Sequence, residues 1–108
     1  MEFVKVASAA ELAPGQMKEV TAGGNKVLLA NVDGGFYAIA RKCPHLGGNL
    51  CKGKLEGSAV KCPLHGARFD VKTGQAVADA KLLFLKMKVR DATTFPLRVE
   101  GTDILVGV

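Results

Sequence analysis

Residues 43–48 read Cys-Pro-His-Leu-Gly-Gly and residues 62–66 read Cys-Pro-Leu-His-Gly, and these two stretches organise the whole chain. Each offers one thiolate and one imidazole beside proline and glycine, with the spacing C-x-H, sixteen residues, then C-x-x-H. The stretches contain both histidines and two of the three cysteines. If the protein has a chemical role, we expect it to depend on Cys43, His45, Cys62 and His65.

The composition is that of a single globular domain, which we expect to span residues 1–108. The chain is 48% hydrophobic and 23% charged, and its length allows a modest core. Its apolar runs are too short to span a membrane, and the N-terminus lacks the layout of a signal peptide, so we expect a cytoplasmic protein. An odd number of cysteines does not suit a closed disulfide framework, whereas cysteines beside histidines favour metal binding.

The net charge of +5 belongs to the segment that holds the Cys/His pairs. Six basic residues there are opposed only by Glu56, whereas the rest of the chain has nine basic and nine acidic residues and sums to zero. We call these six residues the basic collar: Arg41, Lys42, Lys52, Lys54, Lys61 and Arg68. The collar is either an ordinary solvated face or the surround of a site that meets an acidic partner.

Short strands separated by turns are predicted along the chain. Residues 1–7 alternate as an edge strand, and Ser8–Glu11 fits a capping box before one helical turn. Hairpins are predicted at Asp33-Gly34-Gly35, at Lys72-Thr73-Gly74 and at Gly101-Thr102-Asp103. The strands predicted around these turns are Gln16–Thr21, Lys26–Val32, Phe36–Ala40, Ala59–Lys61, Arg68–Val71, Gln75–Val77, Thr94–Glu100 and Ile104–Val108.

Residues 83–90 alternate apolar and mostly basic side chains, which predicts one more half-buried strand. Many short strands with regular turns indicate an all-β fold, an antiparallel sandwich or small barrel. We expect a two-loop metal-binding subdomain at about residues 42–69.

The Cys/His supply suits two kinds of metal site. Structural zinc accepts two cysteines and two histidines, but zinc fingers usually draw the cysteines from one knuckle and the histidines from a helix. Here each loop supplies one of each. An iron–sulfur centre in which two histidines replace two cysteines on one iron needs this mixed supply, and we favour it over zinc.

The two motifs resemble the signature of Rieske [2Fe–2S] proteins, and most of the chain is similar to the small Rieske-type ferredoxins. The resemblance implies one [2Fe–2S] cluster per chain, with Cys43 and Cys62 on the inner iron and His45 and His65 on the outer iron. It also implies the antiparallel β-structure of that family, with the two loops at one end.

The chain departs from the high-potential members of that family at four positions. Those members carry a disulfide between the loops and serine and tyrosine hydroxyls near the cluster; Gly48, Leu64, Ala67 and Phe69 stand at those positions here. The disulfide and the hydroxyls place positive dipoles near the cluster, so their absence predicts a reduction potential near the −150 mV end of the Rieske range. Cys51 is interpreted as a small apolar residue beneath the loop, the alternative being a ligand in a Cys₃His zinc site.

The resemblance implies a soluble one-electron carrier rather than an enzyme, passing electrons from a reductase to a terminal oxygenase. The basic collar indicates that its redox partners dock through an acidic surface of their own, and we expect a monomer. One alternative is the small Rieske subunit of a nitrite reductase complex. Another is a zinc-stabilised β-domain that binds nucleic acid, although the collar lacks the interleaved aromatic residues that such binding uses. We therefore expect neither a nucleic-acid partner nor a membrane partner.

Overall fold

The computed structural model describes residues 1–44, 47–64, 66–78, 80–82, 85–87 and 89–108. Within these ranges the regular structure consists of β-strands and two 3₁₀ turns, Ala9–Glu11 and Leu50–Lys52. The strands are β1 (Phe3–Ser8), β2 (Met17–Ala22), β3 (Asn25–Val32), β4 (Gly35–Ala40), β5 (Lys54–Glu56), β6 (Ala59–Lys61), β7 (Arg68–Asp70), β8 (Ala76–Ala78), β9 (Ala80–Leu82), β10 (Leu85–Met87), β11 (Thr94–Phe95), β12 (Leu97–Glu100) and β13 (Asp103–Gly107). Every described strand pairing is antiparallel, which confirms the predicted fold class.

A central four-stranded sheet, in the order β11-β4-β3-β2, contributes residues to both hydrophobic cores. Residues 27–32 of β3 are buried on both faces, because successive side chains point to opposite sides of a strand. Val27 and Leu29 join the core shared with β1 and β13, whereas Leu28 and Ala30 join a second core that also contains Cys43 and Cys62. The central sheet thus supports the cysteine-bearing region directly.

The second core joins the central sheet to a smaller sheet in the order β5-β6-β7-β8. Val60 of β6 and Phe69 of β7 are paired across the strands and fully buried. Strand β6 ends immediately before Cys62, and β7 begins three residues after His65. This sheet therefore holds both ends of the second Cys/His stretch, while β4 leads into the first.

Most of the predicted strands are confirmed, with small shifts at their ends. The capping box before Ala9–Glu11 is also present, since the Ser8 N–H donates a hydrogen bond to Glu11 Oε2 over 2.7 Å. Strand β5 was not predicted. It contains only three residues, and Leu55 is its single apolar side chain, so the alternation is too short to detect.

One predicted strand is only partly described and another is interrupted. Of the strand predicted over residues 83–90, Leu85–Met87 form β10, which pairs with β9, and Val89 and Arg90 lie outside any strand; residues 83, 84 and 88 lie outside the described residues. The strand predicted over Thr94–Glu100 is split at Pro96, since β11 pairs with β4 in the central sheet and β12 pairs with β13 in another sheet. Proline has no N–H to donate, so it suits the point where the chain leaves one sheet for the next.

Candidate metal centre

The first Cys/His loop is closed at its base by main-chain hydrogen bonds. Lys42 and Asn49 form a β-bridge, the Cys43 N–H donates to the Gly48 carbonyl over 2.8 Å, and the Gly47 N–H donates to the Cys43 carbonyl over 2.9 Å. Gly47 has a φ of 74°, a left-handed conformation that favours glycine. This closure keeps Cys43 at the root of the loop, where it is 2% exposed.

The second loop is closed in a similar way. The Cys62 N–H donates to the Ala67 carbonyl over 2.7 Å, and Gly66 has a φ of 76°. Cys62 is 3% exposed and belongs to the same buried cluster of side chains as Cys43. The structure therefore brings the two predicted cysteine ligands into one region. The predicted ligands His45 and His65 lie outside the described residues.

Gly48 lies between the two loops. A Cβ added to Gly48 would stand 3.1 Å from Cys62 Sγ and 2.9 Å from Leu64 Cδ1, closer than ordinary contact. Gly48 and Leu64, the positions where the high-potential proteins carry their disulfide, thus face each other across the loops. Because Gly48 has no side chain, there is space beside the Cys62 sulfur. The buried sulfurs of Cys43 and Cys62, each at the root of a glycine-containing loop, fit a thiolate-bound metal cluster.

Cys51 is less deeply buried than the two predicted cysteine ligands. It is half-buried beside the core that contains Cys43 and Cys62. Burial, together with the nearby Glu19 carboxylate and partly opposed by Arg41, raises the pKa of the Cys51 thiol to about 11. Because the thiolate is the metal-binding form, a protonated thiol at neutral pH agrees with the apolar role predicted for Cys51.

We expect Cys51→Ala to retain the full cluster, with about 1 kcal/mol lost from the free energy of unfolding because a small cavity forms. Iron and acid-labile sulfide per chain provide the measurement. Cys62→Ala is the matched control and should lose both. Loss of iron from Cys51→Ala at the level of that control would contradict the apolar role.

Two residues of the basic collar are neutralised within the chain. Arg41 Nη1 lies 3.5 Å from Glu19 Oε1, and Arg68 Nε lies 3.1 Å from Glu56 Oε1. Glu19 also accepts a 3.4 Å hydrogen bond from Asn49 Nδ2, which ties β2 to the base of the first loop. The sequence did not indicate that Glu19 pairs with Arg41, because the two residues are 22 positions apart. Six cations and two carboxylates leave the collar with a charge of +4.

Gly53 is a further structural residue that sequence analysis missed. It follows the 3₁₀ turn Leu50–Lys52, and its N–H donates to the Leu50 carbonyl over 3.0 Å. A Cβ at this position would overlap the Lys61 carbonyl oxygen. Glycine is therefore needed for the close approach of the chain to the residue that precedes Cys62.

The Rieske [2Fe-2S] domain model matches residues 2–86 of the chain. The ferredoxin component of biphenyl 2,3-dioxygenase from Rhodococcus jostii (strain RHA1) is 38% identical over 106 residues, covering 98% of this chain and 92% of that protein. The ferredoxin of carbazole 1,9a-dioxygenase from Nocardioides aromaticivorans IC177 superposes with a TM-score of 0.82 at 30% identity, covering 99% of this chain and 98% of that one.

A second similar structure comes from the complex of reduced oxygenase and oxidized ferredoxin in carbazole 1,9a-dioxygenase. Its matching chain gives a TM-score of 0.83 at 26% identity and covers 97% of this chain and 92% of that one. The two matched ferredoxin components belong to oxygenase systems, in which they are electron carriers rather than the catalytic enzymes. The chain therefore belongs to the Rieske [2Fe–2S] family, its cofactor is a [2Fe–2S] cluster, and its activity is electron transfer.

Proposed function

We propose that the protein accepts one electron from a reductase and passes it to a terminal oxygenase. The observation that carries this proposal is the pair of loops closed by main-chain bonds, with a buried cysteine at each root. The ferredoxin components of dioxygenase systems that match nearly the whole chain support it. When bound, the cluster supplies the one-electron chemistry.

In this proposal Cys43 and Cys62 hold the inner iron, and His45 and His65 hold the outer iron. The burial of both cysteines in one cluster of side chains supports the inner assignment, because buried thiolates need compensation by metal. The histidine assignment is supported by the C-x-H and C-x-x-H spacing. Neutral imidazoles leave the oxidised centre with less negative charge than four thiolates would, which favours reduction.

The partners in this proposal present an acidic surface. Its support is the basic collar, whose four lysines form no ion pair with a carboxylate of the described residues.

We also propose a cytoplasmic monomer. The free thiol of Cys51 suits a reducing compartment, and among the described residues the exposed large apolar side chains belong to separate elements: Met1, Leu64, Val77 and Val99. No described helix is long and apolar enough to cross a bilayer.

We further propose that residues 1–108 form one Rieske domain with a cluster-binding subdomain at about 42–69. The core shared by Leu28, Cys43 and Phe69 supports a single unit, because it is continuous between the central and smaller sheets. The smaller sheet extends to Ala78, so strand β8 would complete this subdomain.

The test is electron paramagnetic resonance of the dithionite-reduced protein, with iron and sulfide analysis. We expect a Rieske-type spectrum, two irons and two sulfides per chain. His45→Ala and His65→Ala should each lose the signal, and His45→Cys should shift any retained centre toward the potentials of all-cysteine ferredoxins, about −400 mV. A colourless protein with one zinc would refute the electron-transfer function.

A further inference from the structure

Cavities lie on both sides of the loops that carry the cysteines. The cavity beside the second loop has a volume of about 490 Å³ and is lined by Cys62, Pro63, Leu64 and Gly66 of that loop, together with residues 52–54, Glu56 and Lys61. The cavity beside the first loop has a volume of about 640 Å³, and its charged lining residues are Lys42 and Arg90. We call the former the lysine cleft.

The lysine cleft has three cationic lining residues among the described residues, against two in the cavity beside the first loop. Three lysines line it, Lys52, Lys54 and Lys61, and none of them is paired with a carboxylate among the described residues. The one acidic residue that lines it within the described part of the chain, Glu56, is already paired with Arg68. Lys54 and Lys61 are opposite each other in the β5–β6 register, so the sheet holds two like charges side by side. Like charges directly opposite are unfavourable in a sheet, and an anionic partner would relieve their repulsion.

The rim of the cleft adds an apolar contact. Leu64 of the second loop is 54% exposed and lines the cleft with Pro63. An exposed leucine beside unpaired lysines combines the apolar centre and charged rim of a transient protein interface. Cys62 itself lines the cleft, so a partner seated there would contact the loop that carries a cluster ligand.

We propose that the lysine cleft is the docking site for an acidic segment of the redox partner, with Leu64 as its apolar contact. This inference rests on the proposed electron-transfer function and specifies which side of the metal centre the partner uses. Three of the four collar lysines belong to the docking site, whereas Lys42 lines the other cavity and lies outside it.

Three double variants with the same change of net charge test this inference. Lys54→Glu with Lys61→Glu alters the cleft, Lys42→Glu with Arg90→Glu alters the cavity beside the first loop, and Lys5→Glu with Lys72→Glu alters neither lining. The first readout is stopped-flow oxidation of the reduced protein by ferricyanide, in which the protein loses one electron and ferricyanide becomes ferrocyanide. The second is fluorescence anisotropy of a labelled decaglutamate peptide at low salt.

We expect the cleft variant to slow the ferricyanide reaction about tenfold or more at low ionic strength and to lose peptide binding. The Lys5→Glu with Lys72→Glu variant should remain close to the unaltered protein, and the Lys42→Glu with Arg90→Glu variant should lose less than the cleft variant. The rates should converge at high salt because exposed charges are screened. Equal losses in all three variants, or a larger loss in Lys42→Glu with Arg90→Glu, would overturn the inference. An unchanged resonance spectrum in each variant separates that failure from failure of the proposed function.

Discussion

Replacing Gly53 with alanine is expected to lower the free energy of unfolding by about 3 kcal/mol or more. The added Cβ would overlap the Lys61 carbonyl oxygen, so the 3₁₀ turn and the β5–β6 pair cannot both keep their positions. Because Lys61 precedes Cys62, the displacement should also reduce the iron content. Thermal denaturation followed by the visible absorbance of the cluster provides the measurement, with an apparent Tm about 12 °C or more below that of the unaltered protein.

Gly57→Ala is the matched control in the same hairpin. Gly57 has a φ of 63°, but a Cβ there would meet no atom within 4 Å. The cost is then limited to the left-handed backbone, about 1–2 kcal/mol, and iron binding should be retained. A Gly53→Ala protein as stable and as rich in iron as Gly57→Ala would show that the approach to Lys61 does not position Cys62.

Replacing Ala67 with serine is expected to raise the reduction potential by about 60–130 mV. Ala67 is 1% exposed, shares a core with Cys43 and Cys62, and accepts the Cys62 N–H through its carbonyl. A hydroxyl there would favour the more negative, reduced state. Hydrogen bonds to charged groups contribute about 1.5–3 kcal/mol, which gives this shift at 59 mV per tenfold change for one electron.

Protein-film voltammetry measures the shift, starting from the potential near −150 mV that the absence of the hydroxyls predicts. Ala92→Ser is the control, because Ala92 is buried in the same core but its N–H donates to the Gly74 carbonyl, whereas Ala67 is bonded to Cys62 itself. An unchanged midpoint in Ala67→Ser would mean that the hydroxyl does not reach the cluster. A midpoint well above zero in the unaltered protein would contradict the low-potential prediction.

Much of the fold could be predicted because its signals are local in sequence. Asp33-Gly34 marks a tight turn, and β3 and β4 pair across it from Val27↔Ala40 to Val32↔Gly35. The capping box at Ser8–Glu11 is a pattern of four adjacent residues. The break at Pro96 was missed for the same reason, since alternation indicates extended structure but does not mark where the chain passes from one sheet to another.

The sequence by itself determined the ligand types, their spacing, the glycine-containing loops and the antiparallel hairpins. Only the tertiary structure decided that Glu19 neutralises Arg41, that Gly53 approaches Lys61 and that Lys52, Lys54 and Lys61 line one cleft. The physical reason is range: turns and ligand spacing depend on neighbouring residues, whereas ion pairs and close backbone approaches depend on which strands pack together. The two motifs therefore predict the chemistry of the protein, and the packing around them decides which surface is open to a partner.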